Sequence, residues 1–374
     1  MSNQTLRLNS GLPLKALLLG ASVVAAFLST SASAQTDGLP MQPSIISSMA
    51  AQSVMLSVAR AGHRLVAVGE RGFIIVSDDN GVSWSQVGSP VSVTLVKVRF
   101  IDDVEGWAVG HAGVVLHTRD GGLSWNKQLD GVQAAEIEFQ EAKQATEGSD
   151  DAEKMQERLA QAQQLVDDGP DKPLLDTLFL DAKNGLVVGA YGLAFVTHDG
   201  GLSWQSIRSR IDNPNGLHLY SIERVGGDLF IAGEQGTLLR SSNEGKTFEP
   251  LTSPYEGTTF GLQATNSNFI VAFGLRGKAF ESKDRGDTWQ PLDTLQPVTL
   301  TSGLSLADGS VLLTDESGRV LRFVDGNTKA AVLQIAQPSY FTGMAQAANG
   351  NLIISSARGM LSSAVAVVSP EHDQ

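Results

Sequence analysis

Cysteine is absent from all 374 residues. No disulfide can staple the chain and no lipid-modified N-terminal Cys can tether it, so the fold must rest on its core alone. Positive charge is scarce: 27 Lys and Arg against 40 Asp and Glu give a formal net charge of −13 at pH 7. That sign opposes non-specific binding to nucleic acid and to anionic membranes, and no nucleic-acid partner is expected. Beyond the N-terminus, no segment approaches the about eighteen uninterrupted apolar residues of a membrane span, so direct membrane insertion is not expected. The six His residues show no metal-ligand spacing, and neither a His-Glu-x-x-His nor a Gly-x-Ser-x-Gly run occurs. No metal, cofactor or catalytic residue is therefore assigned.

The N-terminus reads as an address. Arg7 and Lys15 precede an apolar stretch from Ala16 to Leu28, and Ala32-Ser33-Ala34 is a small-x-small cleavage site. Residues 1–34 are expected to be a secretory signal peptide cut after Ala34, leaving residues 35–374 as one exported domain. A leader of this style on a chain without Cys suits the bacterial periplasm, which is the expected location.

One turn recurs seven times, closed by a Gly at 72, 113, 192, 236, 277, 318 and 359. Four of the six gaps are 41 residues, and the gap of 79 is one such period plus an insertion. A period near forty with several strand-like runs per repeat predicts an all-β, seven-bladed β-propeller of four-stranded antiparallel blades. In blade 2 the strands are expected over Leu95–Ile101, Gly106–Gly110, Val114–Thr118 and Ser124–Leu129.

A second signal follows each of the first five turns: Ser/Thr-x-Asp-x-Gly-x-Ser/Thr-Trp, with Asp79 and Trp84, Asp120 and Trp125, Asp199 and Trp204, and Asp284 and Trp289. The fourth copy has Asn243 and Phe248 instead. The short Asp can accept N–H bonds within its own turn, the Gly supplies a positive φ, and the aromatic buries area between layers. Repetition at equivalent turns argues for one local structural job rather than for catalysis. Gly245-Lys246-Thr247 is no phosphate loop, because Arg240 stands where that motif needs its first Gly.

In an up-and-down blade the first and third turns share one face of the disc, and the second turn shares the other with the blade-to-blade crossovers. The boxes are third turns and the Gly-closed loops are second turns, so they occupy opposite faces. The loop face gathers arginine: the residue before the closing Gly is Arg71 in blade 1, Arg276 in blade 5 and Arg358 in blade 7, with Tyr191 in blade 3. His111 opens the blade 2 loop, and Arg208 and Arg210 follow blade 3. Guanidinium forks on this face suit carboxylates or phosphates of a partner, and these seven residues are the expected partner-binding set.

An acidic stretch from Gln133 to Asp171 forms the long crossover between blades 2 and 3. Met155, Leu159, Ala162 and Val166 fall on one helical stripe, which predicts a helical hairpin bending near Gly148 with Ser149 as an N-cap. It reads equally as a solvated insertion or as a partner-binding arm. Blade 7 lacks a box and ends in Val365 to Ser369, and Pro43 to Met49 is expected to supply its outer strand and close the ring.

These boxes look like Asp-boxes, or BNR repeats. Gly106-Trp107-Ala108-Val109-Gly110-His111-Ala112-Gly113 followed by Val114 to Trp125 resembles the repeat of the photosystem II stability/assembly factor family, and the phrase recurs over Val187–Trp204 and Ala232–Phe248. The resemblance implies a non-enzymatic accessory protein that binds membrane-protein assembly intermediates through an arginine-rich surface. The acidic insertion is foreign to photosynthetic members of the family, so the photosystem is not carried over as partner. The expected function is that of a protein-binding assembly or accessory factor for a periplasm-facing membrane complex, possible partners including a transporter. The rival is a glycan-directed hydrolase or lectin of the sialidase type. Against it, the nearest match to the sialidase Arg-Ile-Pro is Arg210-Ile211-Asp212 in the wrong region, and sialidases have six blades. Retaining glycosidases also need two carboxyls about 5 to 5.5 Å apart, whereas Glu70, Glu234 and Glu316 of the loop face fall in non-adjacent blades.

Overall fold

The computed structural model describes residues 41–146, 152–265 and 268–364. The expected leader, its expected cleavage site and Val365 to Ser369 fall outside the described residues.

Seven antiparallel sheets follow one another in chain order. Blade 2 shows the pattern: Leu95–Phe100, Gly106–Gly110, Val115–Thr118 and Asn126–Leu129 pair side by side. Second strands such as Gly106–Gly110, Gly185–Gly189 and Ile270–Gly274 are buried at every residue, because they lie mid-blade and face a neighbouring blade on either side. That is why they read as continuous apolar runs rather than as alternation. Apolar clusters fill the gaps between blades, as where Val66, Val68 and Ile74 of blade 1 meet Val98, Ala108 and Leu116 of blade 2. Each such buried Val, Leu or Ile contributes about 1.5–3 kcal/mol.

The inner strands repeat a β-bulge near the loop face, for example between Met55 and Ser57, Leu95 and Lys97, Leu219 and Ser221, and Phe341 and Gly343. A bulge bends its strand and raises the local twist. The inner strands together line an axial cavity of about 780 Å³.

Each second turn is locked to the crossover entering its own blade. The N–H groups of Glu70, His111, Ala190, Glu234, Leu275, Glu316 and Ala357 donate to the carbonyls of Val54, Thr94, Pro173, His218, Thr258, Thr299 and Tyr340. Seven equivalent bonds mark seven equivalent sectors.

Closure differs from the sequence expectation. Blade 7 has three strands among the described residues, Phe341–Gln346, Leu352–Ser356 and Gly359–Ser363. Pro43 to Met49 does not supply a fourth. It lies instead on blade 1, where Ser44 N–H donates to Ser89 O (3.0 Å), Ser47 N–H to Gln86 Oε1 (2.7 Å) and Gln86 Nε2 to Ile45 O (2.8 Å). Ser44 and Ser47 bond to Ser89 and Gln86 of blade 1, and no strand ladder forms along the segment. The following turn, Ala50–Gln52, abuts Gly359 as the outgoing crossover at Val91 abuts Gly72 in blade 1. The ring then closes by packing: Met55, Leu65 and Ile75 of blade 1 meet Ala345 and Ile353 of blade 7, and Thr342 Oγ1 donates to Met55 O at 2.6 Å.

The insertion is a pair of helices, α1 (Gly131–Thr146) and α2 (Ala152–Asp168). The expected bend at Gly148 and cap at Ser149 lie outside the described residues. Helix α1 starts before Gln133 because Asp130 caps it reciprocally: Gln133 N–H donates to Asp130 Oδ1 and Asp130 N–H to Gln133 Oε1, both at 3.1 Å. The pair is not the solvated insertion of the first reading. Ala134, Ala135 and Leu165 join the core formed by Leu129, Leu174 and Leu193, so the insertion is docked on blades 2 and 3.

Candidate functional site

In blades 1 to 5 the loop hairpins carry two successive residues with positive φ, whereas in blades 6 and 7 only Gly318 and Gly359 do. Arg71 and Gly72 have φ of 56° and 69°, Ala112 and Gly113 54° and 65°, Tyr191 and Gly192 56° and 69°, and Arg276 and Gly277 57° and 68°. This is the type I′ pattern, in which Gly or Asn is favoured at both central positions. The closing Gly is required twice over at Gly72, where a Cβ would lie 2.0 Å from Val91 O. The residue before it is free to vary in side chain, at a conformational cost of about 1–2 kcal/mol.

Arg71, Arg276 and Arg358 are exposed, and none of their guanidinium groups has a hydrogen bond or ion pair among the described residues. Blades 7 and 1 are neighbours in the ring, so Arg358 and Arg71 stand in adjacent sectors. His111 is exposed too, next to the buried Ala112 against which α1 packs. Tyr191 is 48% exposed, with Lys172 Nζ 5.0 Å above its ring and His218 4.9 Å away.

Arg208 is placed differently from expectation. It belongs to the docking of the insertion: Nη2 donates to Gln161 Oε1 at 2.9 Å, and Nη1 lies 3.7 Å from Glu138 Oε1. Glu138 is fully buried, pairs with Arg158 at 3.1 Å and accepts from Ser206 Oγ. Burial holds Arg208 below the usual arginine range, only partly offset by Glu138. Arg210 is exposed, but on the outer rim, where its carbonyl accepts from Phe248 N–H at 2.9 Å and Ile211 pairs with Phe248. Pairing along blade 4 carries this crossover to the rim, which the sequence alone does not reveal.

At the opposite end of blades 1 to 5 the boxes are closed on themselves. Ser77 Oγ donates to Asp79 Oδ1 (2.8 Å) and accepts from Gly81 N–H (2.9 Å), while Ser83 donates to Asp79 through N–H (2.9 Å) and Oγ (2.6 Å). The same bonds recur at Asp120, Asp199 and Asp284. Asn243 accepts from Thr247 N–H at 3.0 Å in their place. Hydroxyl and N–H donors from Ser83, Ser203 and Thr288 bring Asp79, Asp199 and Asp284 down to a pKa of about 2. Asp120 is lowered as well, its partial burial outweighed by Ser124. Trp125 and Phe248 are buried, and Trp125 Nε1 donates back to Gly122 O at 3.0 Å.

The loop-face carboxylates serve local contacts. Glu70 accepts from Val54 N–H at 3.2 Å, and Glu234 accepts from His218 N–H and contacts its Nδ1, both at 2.9 Å. Inside the axial cavity one cluster bridges three blades. Arg99 holds Asp176 through Nε (3.1 Å) and Nη2 (2.8 Å), and Glu223 through Nη1 (3.1 Å). Burial of Asp176 is outweighed by Arg99, which keeps its carboxyl below the usual range. Sequence reading missed both this cluster and Glu138. The available signal was charge on otherwise apolar stripes: Arg99 and Glu223 in inner strands, and Glu138 in line with Ala134, Ala135 and Ala142. Among the described residues no group of three or more His, Cys, Asp or Glu could hold a metal, and no helix is long and apolar enough to cross a membrane.

Comparison with known proteins agrees with this architecture. Solved structures share the fold over most of the chain. YCF48 bound to D1 peptide matches with a TM-score of 0.60 at 17% identity, covering 88% of this chain and 96% of that one. YCF48 from Cyanidioschyzon merolae gives 0.59 at 14% identity, covering 84% and 96%. Streptogramin B lyase gives 0.63 at 12% identity, covering 83% and 93%, so the fold by itself does not separate binding from catalysis. Among curated proteins, the Photosystem II assembly lipoprotein Ycf48 of Synechococcus sp. (strain CC9902) is 27% identical over 118 residues, which is 31% of this chain and 35% of that protein. The uncharacterized protein YkuO of Bacillus subtilis (strain 168) is 33% identical over 72 residues, 19% and 24% of the two chains. The chain thus spans about a third and a quarter of the length of these two relatives. The family model described as Photosynthesis system II assembly factor YCF48 matches residues 76–148 and 155–360, well over half of the chain, and the chain belongs to that family.

Proposed function

We infer that this chain is a non-catalytic, protein-binding propeller that acts in the periplasm as an assembly or accessory factor for a membrane protein complex, such as a transporter, and engages it through the loop face. One observation carries the reading: Arg71 and Arg276 occupy left-handed positions where Gly costs less, and their guanidinium groups have no partner within the described chain. Strain retained without a local contact to compensate it is a feature of functional sites. The set is Arg71, Arg276 and Arg358, flanked by His111 and Tyr191, facing carboxylates of the partner. The D1 peptide held by one YCF48 structure and the family membership support a protein ligand. The leader-like pattern from Arg7 to Ala34 supports export.

The experiment is affinity capture from detergent-solubilised membranes of the host, comparing the native chain with the triple variant Arg71→Glu, Arg276→Glu, Arg358→Glu. The expected result is loss of a membrane protein that the native chain retains. An unchanged set of captured proteins overturns the reading, provided the variant melts at the native temperature.

A further inference from the structure

Six blades end in a short fourth strand that is shielded. In blade 1, Ser85–Val87 is flanked by the N-terminal segment through Gln86 and Ser89. Blade 2 carries Lys127 in Asn126–Leu129, and Ser206 of blade 3 is buried under Glu138 of α1. Blades 4 and 5 end in two-residue strands closed by Pro250 and Pro291, which have no N–H to offer a further strand. In blade 6, Ala331–Leu333 is three residues long, and the N–H of the preceding Ala330 donates to Asp293 O at 3.0 Å. Charge, proline, brevity and cover are the devices by which natural sheets refuse another strand.

Among the described residues blade 7 has none of them beyond its loop-face end. Its outermost strand, Gly359–Ser363, is five residues long and carries neither charge nor proline. Among the described residues the cover lies at that end, where Ala51 and Gln52 abut Gly359 and Ala50 and Ala51 share a cluster with Met360. The two-residue turn Ala357–Arg358 makes Ser356 and Gly359 the first pair of this hairpin. Hydrogen-bonded and non-bonded pairs alternate along an antiparallel ladder. Gly359, Leu361 and Ser363 therefore bond to the middle strand, and Met360 and Ser362 turn N–H and C=O outward. Among the described residues no strand pairs with that side.

We propose that an extended segment of the partner protein completes blade 7, adding antiparallel to Gly359–Ser363 through the main chain of Met360 and Ser362. This rests on the protein-binding reading above and extends it, since the edge starts beside Arg358 on the loop face. Two stretches of the chain itself are poorer occupants. Residues 44–47 are bonded to blade 1, and the sequence after Ala364 holds no Gly, Asn, Asp or Pro before Pro370 with which to turn back. Strand addition draws affinity from main-chain bonds and selectivity from alternate side chains. Here Leu361 packs into the cluster of Leu333, Phe341 and Leu352 on one side of the blade, and Met360 into that of Ala50 and Phe73 on the other. The segment that fits is uncharged and rich in Val, Ile and Thr.

The test uses the full chain and a pooled library of acetylated and amidated seven-residue peptides drawn from Val, Ile, Leu, Thr and Ser, against the same pool N-methylated at alternate residues. The expected result is at least about tenfold enrichment of unmethylated peptides, with slowed hydrogen exchange at Met360 and Ser362. Ser362→Pro should abolish enrichment, while Ser363→Ala and the triple arginine variant should keep it. The triple variant separates the two readings: loss of membrane capture with retained peptide binding leaves each intact, and normal capture with no peptide binding removes this one alone. The proposal is overturned if no peptide is enriched, if methylated peptides bind equally, or if folded Ser362→Pro still binds. It is also overturned if binding appears only after deletion of residues 365–374, which would make the chain's own tail the occupant. Dimerisation lost in Ser362→Pro would assign the edge to a second copy instead.

Discussion

Box hairpins and loop hairpins both recur around one ring, and they place their polar groups differently. A box turns Asp, Ser and main-chain N–H inward on one another, so Asp79 meets Ser77 and Ser83 and presents little free hydrogen-bonding capacity. A loop secures only its backbone, as where Glu70 N–H reaches Val54 O, and leaves the Arg71 side chain to solvent. Mutual satisfaction makes a turn into scaffold, and a secured backbone with an unsatisfied side chain makes it into display. The helix pair is intermediate: it rises from a loop-face crossover but is fastened by the buried Glu138 and its half-buried partners Arg158 and Arg208.

The largest test of this contrast is that fastening. Glu138→Ala leaves the half-buried Arg158 and Arg208 without their carboxylate, and the about 3–5 kcal/mol cost of breaking a fully buried pair sets the upper bound. Urea unfolding should show a loss of that order, with hydrogen exchange accelerating first in α1 and α2. On the box side, Ser282→Ala strips the acceptor from the buried Gly286 N–H, which it holds at 2.7 Å. An unsatisfied buried donor costs about 1–3 kcal/mol, read as a lowered denaturation midpoint.

Acid should act on the boxes before the loops. Asp79, Asp199 and Asp284 have folded pKa values of about 2 against an ordinary 3.8. A depressed folded value means that their contribution is present above pH about 4 and is lost as pH falls toward 2. Melting temperature should drop over that window, and less steeply in Asp284→Asn, whose box then resembles the uncharged one at Asn243. The smallest effect belongs to the loop. Arg276→Gly relieves a left-handed residue at the price of a looser unfolded chain, so stability should rise by about 0.5 kcal/mol. Calorimetry showing a clear loss instead would mean that Arg276 holds structure rather than display.

Legibility followed the distance over which each signal acts. The blade strands were readable because their periodicity is local, and blade 2 falls within two residues of its expected bounds. The loop arginines were readable because a fixed offset from a closing Gly decides where they emerge. Arg208 was not, because its place depends on Glu138 and Gln161 from an insertion whose docking no local pattern announces. The outer strand expected from Pro43 to Met49 failed for the same reason: competition between blade 1 and blade 7 for one segment is settled by contacts far apart in the chain.

Sequence by itself therefore determined the number of sectors, the order of strands within each and the side of the disc on which each turn emerges, since all three follow from repeat spacing and alternation. Tertiary structure alone decided the docking of the helices, the Arg99 bridge to Asp176 and Glu223 at the axial cavity, and the edge of blade 7 that stays unpaired among the described residues. Those features join residues from different repeats, and a repeat specifies its own interior far more strongly than it specifies its neighbours.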